Sequence, residues 1–280
     1  HEAAGFAWVQ VHTPPWRVLA ERGPALAHAR GLRAALGATG LRLLLHAPDD
    51  LSAGTIEHDL AFEGLLDHAA QAGAELVVYH GLNFADAGGG AAAVRLCERA
   101  QLEELSLTRL LQRALSLGVT VAIENLAPMY AGPAAPPRRC HDPIAVRDLV
   151  RRLDSPAAGM LLDLGHLHIT ADARRSDHLA VIAACAPDVV LFHVHDNLGA
   201  RRRGLGAPSV DPLKLDLHLP PGRGSLPWAR VAPAVAGHHA PLMMEIEPSQ
   251  RPALEALARE AARLFAAPAR PAAAPAGVAA

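Results

Sequence analysis

Short apolar runs alternate along this chain with longer stretches whose apolar residues recur every three or four positions. The runs at 41–46, 76–80, 119–124, 160–163, 189–196 and 242–245 are nearly continuous in Val, Leu, Ile and Met. Continuous rather than alternating runs predict strands buried on both faces of a parallel sheet. A further strand is predicted over 5–11, ending before His12 and a Thr-Pro-Pro turn. The periodic stretches predict helices over 24–36, 56–72, 91–117, 144–153, 176–186, 227–235 and 252–266. Gly37, Gly73 and Gly118 supply stop signals, and Ser176 is the expected N-cap of its helix. Loops fall at 48–54, 81–90, 128–143 and 197–226. Residues 1–266 are expected to form one domain, and the Ala/Pro-rich end 267–280 to be disordered.

The predicted strands share one feature: a polar residue at the C-terminal end. These are His46, His80, Glu124, Asp163 with His166 following, His193 with His195 and Asp196, and Glu245. An open sheet gathers ligands only at its switch point, whereas a closed barrel gathers all its strand ends around one mouth. The expected fold is therefore a TIM (β/α)8 barrel. Only seven strands are legible, so the eighth is expected either to be irregular or to precede His1. No Gly-x-Gly-x-x-Gly follows the first strand, and no nucleotide cofactor is expected.

Taken singly, each strand-end residue has a bland reading as a hydrogen-bonded structural histidine or a solvated charge near a helix N-terminus. Together they do not. Glu, Asp and His buried beside apolar strands are costly unless paired or bound to a cation. Imidazole and carboxylate donors without cysteine suit a divalent metal: Zn, Mn, Co, Fe or Mg. Asp163-Leu-Gly-His166 puts two such donors at one strand exit, with Gly165 expected to permit a turn. In Asp216-Leu-His218, an extended backbone would aim both side chains the same way. In isolation that pair reads as solvated loop. Gly222-Arg-Gly224 marks a tight turn before Trp228.

Composition narrows the partners. The formal net charge is −2, so there is no basic footprint for nucleic acid. No apolar run reaches the roughly 18 residues of a membrane span. Cys97, Cys140 and Cys185 lack CxxC spacing and read as reduced thiols, which with no signal-type segment makes a cytoplasmic location the expectation. The chain carries 16 histidines, an excess that position must explain.

Read in order, several motifs resemble the xylose isomerase-like TIM-barrel superfamily. They are His-Ala-Pro at 46–48, Tyr-His-x-Leu-Asn at 79–83, Ile-Glu-Asn at 123–125, Asp-Leu-Gly-His at 163–166 and His-Val-His-Asp at 193–196. Asp-x-His with a following Gly-x-Gly at 216–224 and Met-Glu at 244–245 complete the set. The resemblance runs over about 5–264. In the isomerase and epimerase branch it implies one divalent metal held by Glu124, Asp163, His193 and Glu245. In the endonuclease IV branch it implies three zinc ions on nine ligands: those four plus His46, His80, His166, Asp216 and His218. By the family register the 5–12 segment is the second strand, and Gln10 or its neighbour stands where relatives often carry a glutamate.

Two activities follow as expectations. The first is a metal-dependent isomerase or epimerase of a sugar, sugar phosphate or related hydroxy-ketone, with Glu124 and Glu245 as the acid/base pair. His46, Asn125 and His166 would bind hydroxyls. Arg201, Arg202, Arg203, Lys214 or Arg223 could meet a phosphate or carboxylate, although Arg201–Arg203 reads equally as a solvated charge run. The second is a multinuclear metal phosphodiesterase. Aromatics at 4% and the slightly acidic balance weigh against a nucleic-acid substrate. A non-catalytic metabolite-binding barrel has least support, because the carboxylate set is intact. A homo-oligomer is compatible with either activity. His195 stays ambiguous, and Asp196 is expected to orient a neighbouring ligand or substrate.

Overall fold

A computed structural model of the chain describes residues 2–81, 90–128, 139–200 and 214–266. Strands β1 (Trp8–His12), β2 (Arg42–His46), β3 (Ala74–Tyr79), β4 (Thr120–Glu124), β5 (Ala158–Asp163), β6 (Val189–Val194) and β7 (Leu242–Met244) pair in sequence order, every pair parallel. Around them lie α1 (Trp16–Ala20), α2 (Gly23–Leu36), α3 (Ile56–Ala72), α4 (Gly90–Leu117), α5 (Pro143–Leu153), α6 (Leu164–Arg174), α7 (His178–Cys185), α8 (Trp228–Ala236) and α9 (Leu254–Leu264). Among the described residues this is a nearly closed TIM-type barrel of seven strands. Strands β1 and β7 flank the seam without pairing. A cavity of about 270 Å³ lies there, lined by Trp8, Gln10, Leu242, Met244, Glu245 and Leu254 among others.

Strand alternation divides the side chains into two layers. Leu44, Leu76, Val78, Ala122, Leu161 and Leu191 form a small cluster inside the barrel. Leu43, Leu45, Val77, Tyr79, Val121, Ile123, Met160, Leu162, Phe192 and Val194 belong instead to the large cluster between sheet and helices. The inner parity carries forward two residues to the strand ends. Leu44 leads to His46, Val78 to His80, Ala122 to Glu124, Leu161 to Asp163 and Leu191 to His193. Val194 faces away from the mouth, as alternation predicts.

Two helices escaped the sequence pattern. Helix α1 follows directly on the Thr-Pro-Pro turn, with Pro15 at its N-cap. Helix α6 starts immediately after β5, and its residues from Leu164 to Ala171 are all buried. A helix without a polar face has no amphipathic period to read. Its neighbour α7 is capped by Asp177, whose side chain accepts from the Leu179 amide at 3.3 Å, rather than by the preceding Ser176. The Thr55 side chain caps α3 by accepting from the His58 amide. No helix among the described residues is long and apolar enough to cross a membrane.

Helix α3 seals the outer layer. Phe62, Leu65 and Leu66 are fully buried, and the Phe62 ring stands edge-on to Tyr79 at 5.1 Å and 70°. Tyr79 is in turn tied to α4, its hydroxyl donating to Glu103 Oε1 at 2.6 Å. Replacing Phe62 with Ala leaves a cavity under β3. We expect a loss of about 3–5 kcal/mol, read as a lower urea midpoint at unchanged denaturant slope.

Candidate metal centre

The inward strand ends meet at one point. Glu124, Asp163, His193 and Glu245 each bring one donor atom within 4.8 Å of the others'. His193 Nδ1 lies 2.8 Å from Glu245 Oε2, 3.5 Å from Glu124 Oε1 and 3.6 Å from Asp163 Oδ2. None of these approaches is an aligned hydrogen bond. His193 Nδ1 and Glu124 Oε2 are both buried without a hydrogen-bond partner among the described residues. Polar atoms orphaned at a shared point are costly in a protein interior, and a cation between them would satisfy all of them. The donor set fits a divalent metal.

Two further groups flank this one. His46 Nε2 and His80 Nε2 are 3.1 Å apart, and Glu124 Oε2 lies 3.8 and 3.4 Å from them. On the other side Asp216 Oδ2 is 3.3 Å from His166 Nε2 and 3.0 Å from His218 Nε2. Glu124 thus belongs to both the central group and the first flanking group. A common device orients the imidazoles. His46 Nδ1 donates to the Ala47 carbonyl at 2.8 Å, His166 Nδ1 to Asn125 O at 2.9 Å and His218 Nδ1 to Glu245 O at 3.0 Å. His193 Nε2 donates to Gln10 Oε1 at 2.9 Å. In each ring one nitrogen is held by an acceptor outside the groups, leaving the other lone pair for the centre. Gln10 therefore has a definite place, as the support of His193.

Residues 216–218 are not solvated loop. Asp196 pairs with Leu219 by two backbone hydrogen bonds of 2.7 and 2.9 Å. The Asn197 side chain accepts from the Leu217 amide at 2.6 Å and donates to Asp216 Oδ1 at 3.3 Å. The buried Asp196 carboxylate accepts from the Gly222, Leu226 and Asn197 amides and from Trp228 Nε1 at 2.8 Å. The role expected for Asp196 needs correction. It staples the 219–228 turn to the end of β6 instead of touching a ligand, and Gly224 leaves the room its carboxylate occupies. His218 itself sits at φ +48°, an uncommon conformation for a non-glycine residue, held by these contacts.

Other expectations also change. Asn125 is fully buried, and its carboxamide is committed to the Asp163 backbone. It accepts from the amide at 2.8 Å and donates to the carbonyl at 3.1 Å. It braces the β5 exit rather than facing a substrate hydroxyl. Gly165 does not make a turn. It lies in the first turn of α6, where Asp163 is the N-cap and accepts from the His166 amide at 2.6 Å. Arg223 is exposed on the turn closed by the Arg223 amide donating to Pro220 O. Arg201, Arg202 and Arg203 lie outside the described residues, and Lys214 is half-buried at their edge. Sequence reasoning missed Asn197 altogether. Its only signal was a position directly after the strand-end His-Val-His-Asp.

A family model described as the xylose isomerase-like TIM barrel matches residues 2–267. The chain belongs to this family. The sequence has no significant match among curated proteins. Solved structures of the same fold include a D-tagatose 3-epimerase-like protein at 16% identity and a TM-score of 0.67, covering 93% of this chain and 88% of that one. The 3-keto-D-glucoside 4-epimerase of E. coli, in its apo form, is 14% identical with a TM-score of 0.65 over 94% and 90% of the two chains. The IOLI protein with a zinc atom is 15% identical, with a TM-score of 0.63 over 94% and 88%.

In this xylose isomerase-like barrel the mouth is strongly polarised. Burial alone would raise the Glu124 carboxyl, but the His193 charge and the neighbouring imidazoles of His166 and His46 hold it well below the usual range. Glu245 behaves alike: burial raises it, and His193 outweighs burial to bring it down to about 2. Burial would lower His193, but Glu245 and Glu124 push it well above its ordinary value. Burial also lowers His218, while Asp216 and then Glu245 carry it up to about 9. Raised imidazoles and lowered carboxylates thus balance one another's charge across the mouth.

Three outcomes follow. Replacing Asp196 with Ala strands the indole and amide donors of the 219–228 turn, at a cost on the order of 3 kcal/mol. Hydrogen exchange should show faster amide exchange across 214–228 than in β2–β5. The pH dependence follows from the shifts. The stability that His218 lends is fully present below its ordinary 6.5 and is lost as pH rises through about 9. That of Glu245 is present above 4.5 and is lost as pH falls through about 2. The metal-free protein should therefore melt at lower temperature at pH 9 than at 6.5. Cation uptake at pH 7 should release about one proton or more, measured by calorimetry in buffers of different ionisation enthalpy.

Proposed function

We propose that this chain is a divalent-metal-dependent isomerase or epimerase of a sugar, sugar phosphate or related hydroxy-ketone. The convergence of Glu124, Asp163, His193 and Glu245 at the centre of the barrel mouth carries the reading. The printed names of its structural neighbours, sugar epimerases among them, support it at the level of substrate class. When bound, the cation would supply Lewis-acid stabilisation for negative charge building on two adjacent substrate oxygens. The residues do the rest. Glu245, from the end of β7, and Glu124, from the end of β4, are both ionised at neutral pH, the form that accepts a proton. One takes the proton from the carbon beside the substrate carbonyl, and the electron pair of that C–H bond becomes the carbon–carbon double bond of an enediolate. The same carboxyl then returns the proton to the neighbouring carbon in an isomerisation. In an epimerisation the first carboxyl loses its proton to solvent, and the opposite carboxylate, protonated from solvent, delivers one to the other face. His46 and His166, on either side of the centre, would receive substrate hydroxyls.

A second reading is favoured by one observation. Both flanking groups are complete, His46–His80–Glu124 on one side and His166–Asp216–His218 on the other. Such an array suits a multinuclear phosphodiesterase, in which clustered cations activate water and clamp a phosphate.

The two are separated by metal content and by hydrogen exchange. Protein purified without added metal is analysed for metal, then incubated with ketoses in deuterated water. About one divalent ion per chain and deuterium at the carbon beside the carbonyl support the first reading. In that case Glu245→Gln should slow exchange by about 100-fold or more. About three zincs per chain with phosphodiester cleavage and no exchange would transfer the assignment to the second.

A further inference from the structure

His195 is a buried histidine of the mouth that neither the implied ligand sets nor the proposed mechanism uses. It is fully buried, and its Nε2 lies 2.9 Å from Asp163 Oδ2. A carboxylate only accepts, so this nitrogen carries the hydrogen. The other oxygen of Asp163 accepts from the His166 amide at 2.6 Å. Both oxygens are thereby fixed, and Oδ2 is held 3.6 Å from His193 Nδ1, facing the central group.

The ring of His195 has a second contact. It lies parallel to His218, with centroids 4.0 Å apart and planes inclined by 7°. A nitrogen of His195 comes within 4.8 Å of the donor atoms of His166, Asp216 and His218, so distance alone would make it a fourth ligand of that group. The stacking argues otherwise. An imidazole binds a cation in its own plane, along the nitrogen lone pair, and two stacked parallel planes share no such point. His195 can orient His218 but does not join it on one ion. The ring owes its place to Gly165 in the first turn of α6, where any Cβ would overlap it.

We propose that His195 is a positioning residue coupling the central group to the outer one, orienting Asp163 through its Nε2–H and supporting His218 through its ring face. This rests on the metal reading given above. Removing His195 should loosen both groups.

Cobalt(II) titration of the metal-free protein tests it, with the visible d–d band reporting coordination at the centre and the number of ions bound reporting occupancy. His195→Ala is expected to weaken cobalt binding by about 10-fold or more and to shift the band, in the range typical of groups that orient metal ligands. His195→Gln, which keeps a donor within reach of Asp163, should recover most of the affinity. Gly165→Ala retains His195 but displaces its ring, and should resemble His195→Ala. It also keeps the test available if His195→Ala fails to fold. A wild-type band and affinity in His195→Ala, or in Gly165→Ala, overturns the coupling and leaves the metal reading standing. So does His195→Gln binding no better than His195→Ala. A wild-type protein that takes up no cobalt overturns both.

Discussion

Three carboxylates and an imidazole are aimed at one point where no pair of them can satisfy the others. Glu124, Asp163, His193 and Glu245 sit within ion-pair distance inside the barrel mouth, yet His193 Nδ1 and one oxygen of Glu124 have no hydrogen-bond partner among the described residues. A protein interior does not hold such a cluster without compensation. In the metal-free chain, raised imidazoles paired with lowered carboxylates supply it. The same polarisation that makes the mouth suitable for a cation makes it sensitive to protons.

Much of the surrounding structure keeps those donors from relaxing toward one another. Four imidazoles each give one nitrogen to an outside acceptor: Ala47 O, Asn125 O, Gln10 Oε1 or Glu245 O. Asn125 clamps the backbone of Asp163 from both sides, and Asn197 reaches Asp216 from the end of β6. Asp196 spends its carboxylate on the backbone and indole of the 219–228 turn. The polar residues next to the candidate ligands are therefore mainly braces, which is why so many of them are buried without facing the mouth.

How far the sequence could be read depends on whether a feature is periodic. Continuous apolar runs marked the strands, and the parity within each run carried its polar end to the inside. Glu124, Asp163 and His193 were legible for that reason. Helix α6 was not, because its residues from Leu164 to Ala171 are all buried and leave no amphipathic stripe to read. Gly165 was misread as a turn residue, since its purpose is the ring of His195, thirty positions away just past the end of β6. Asp216 and His218 looked like solvated loop until Asp196 and Asn197 were seen to fold that segment back over the mouth.

The sequence by itself determined the family, the parallel barrel architecture and the identity of the donor residues, because strand alternation and the order of the motifs are local properties of the chain. Only the tertiary structure decided which donors share a point, which nitrogen of each imidazole is free, and which polar neighbours are braces rather than contacts. Those depend on distances and lone-pair directions between segments far apart in sequence. They are fixed only when the strands close side by side and bury their ends together.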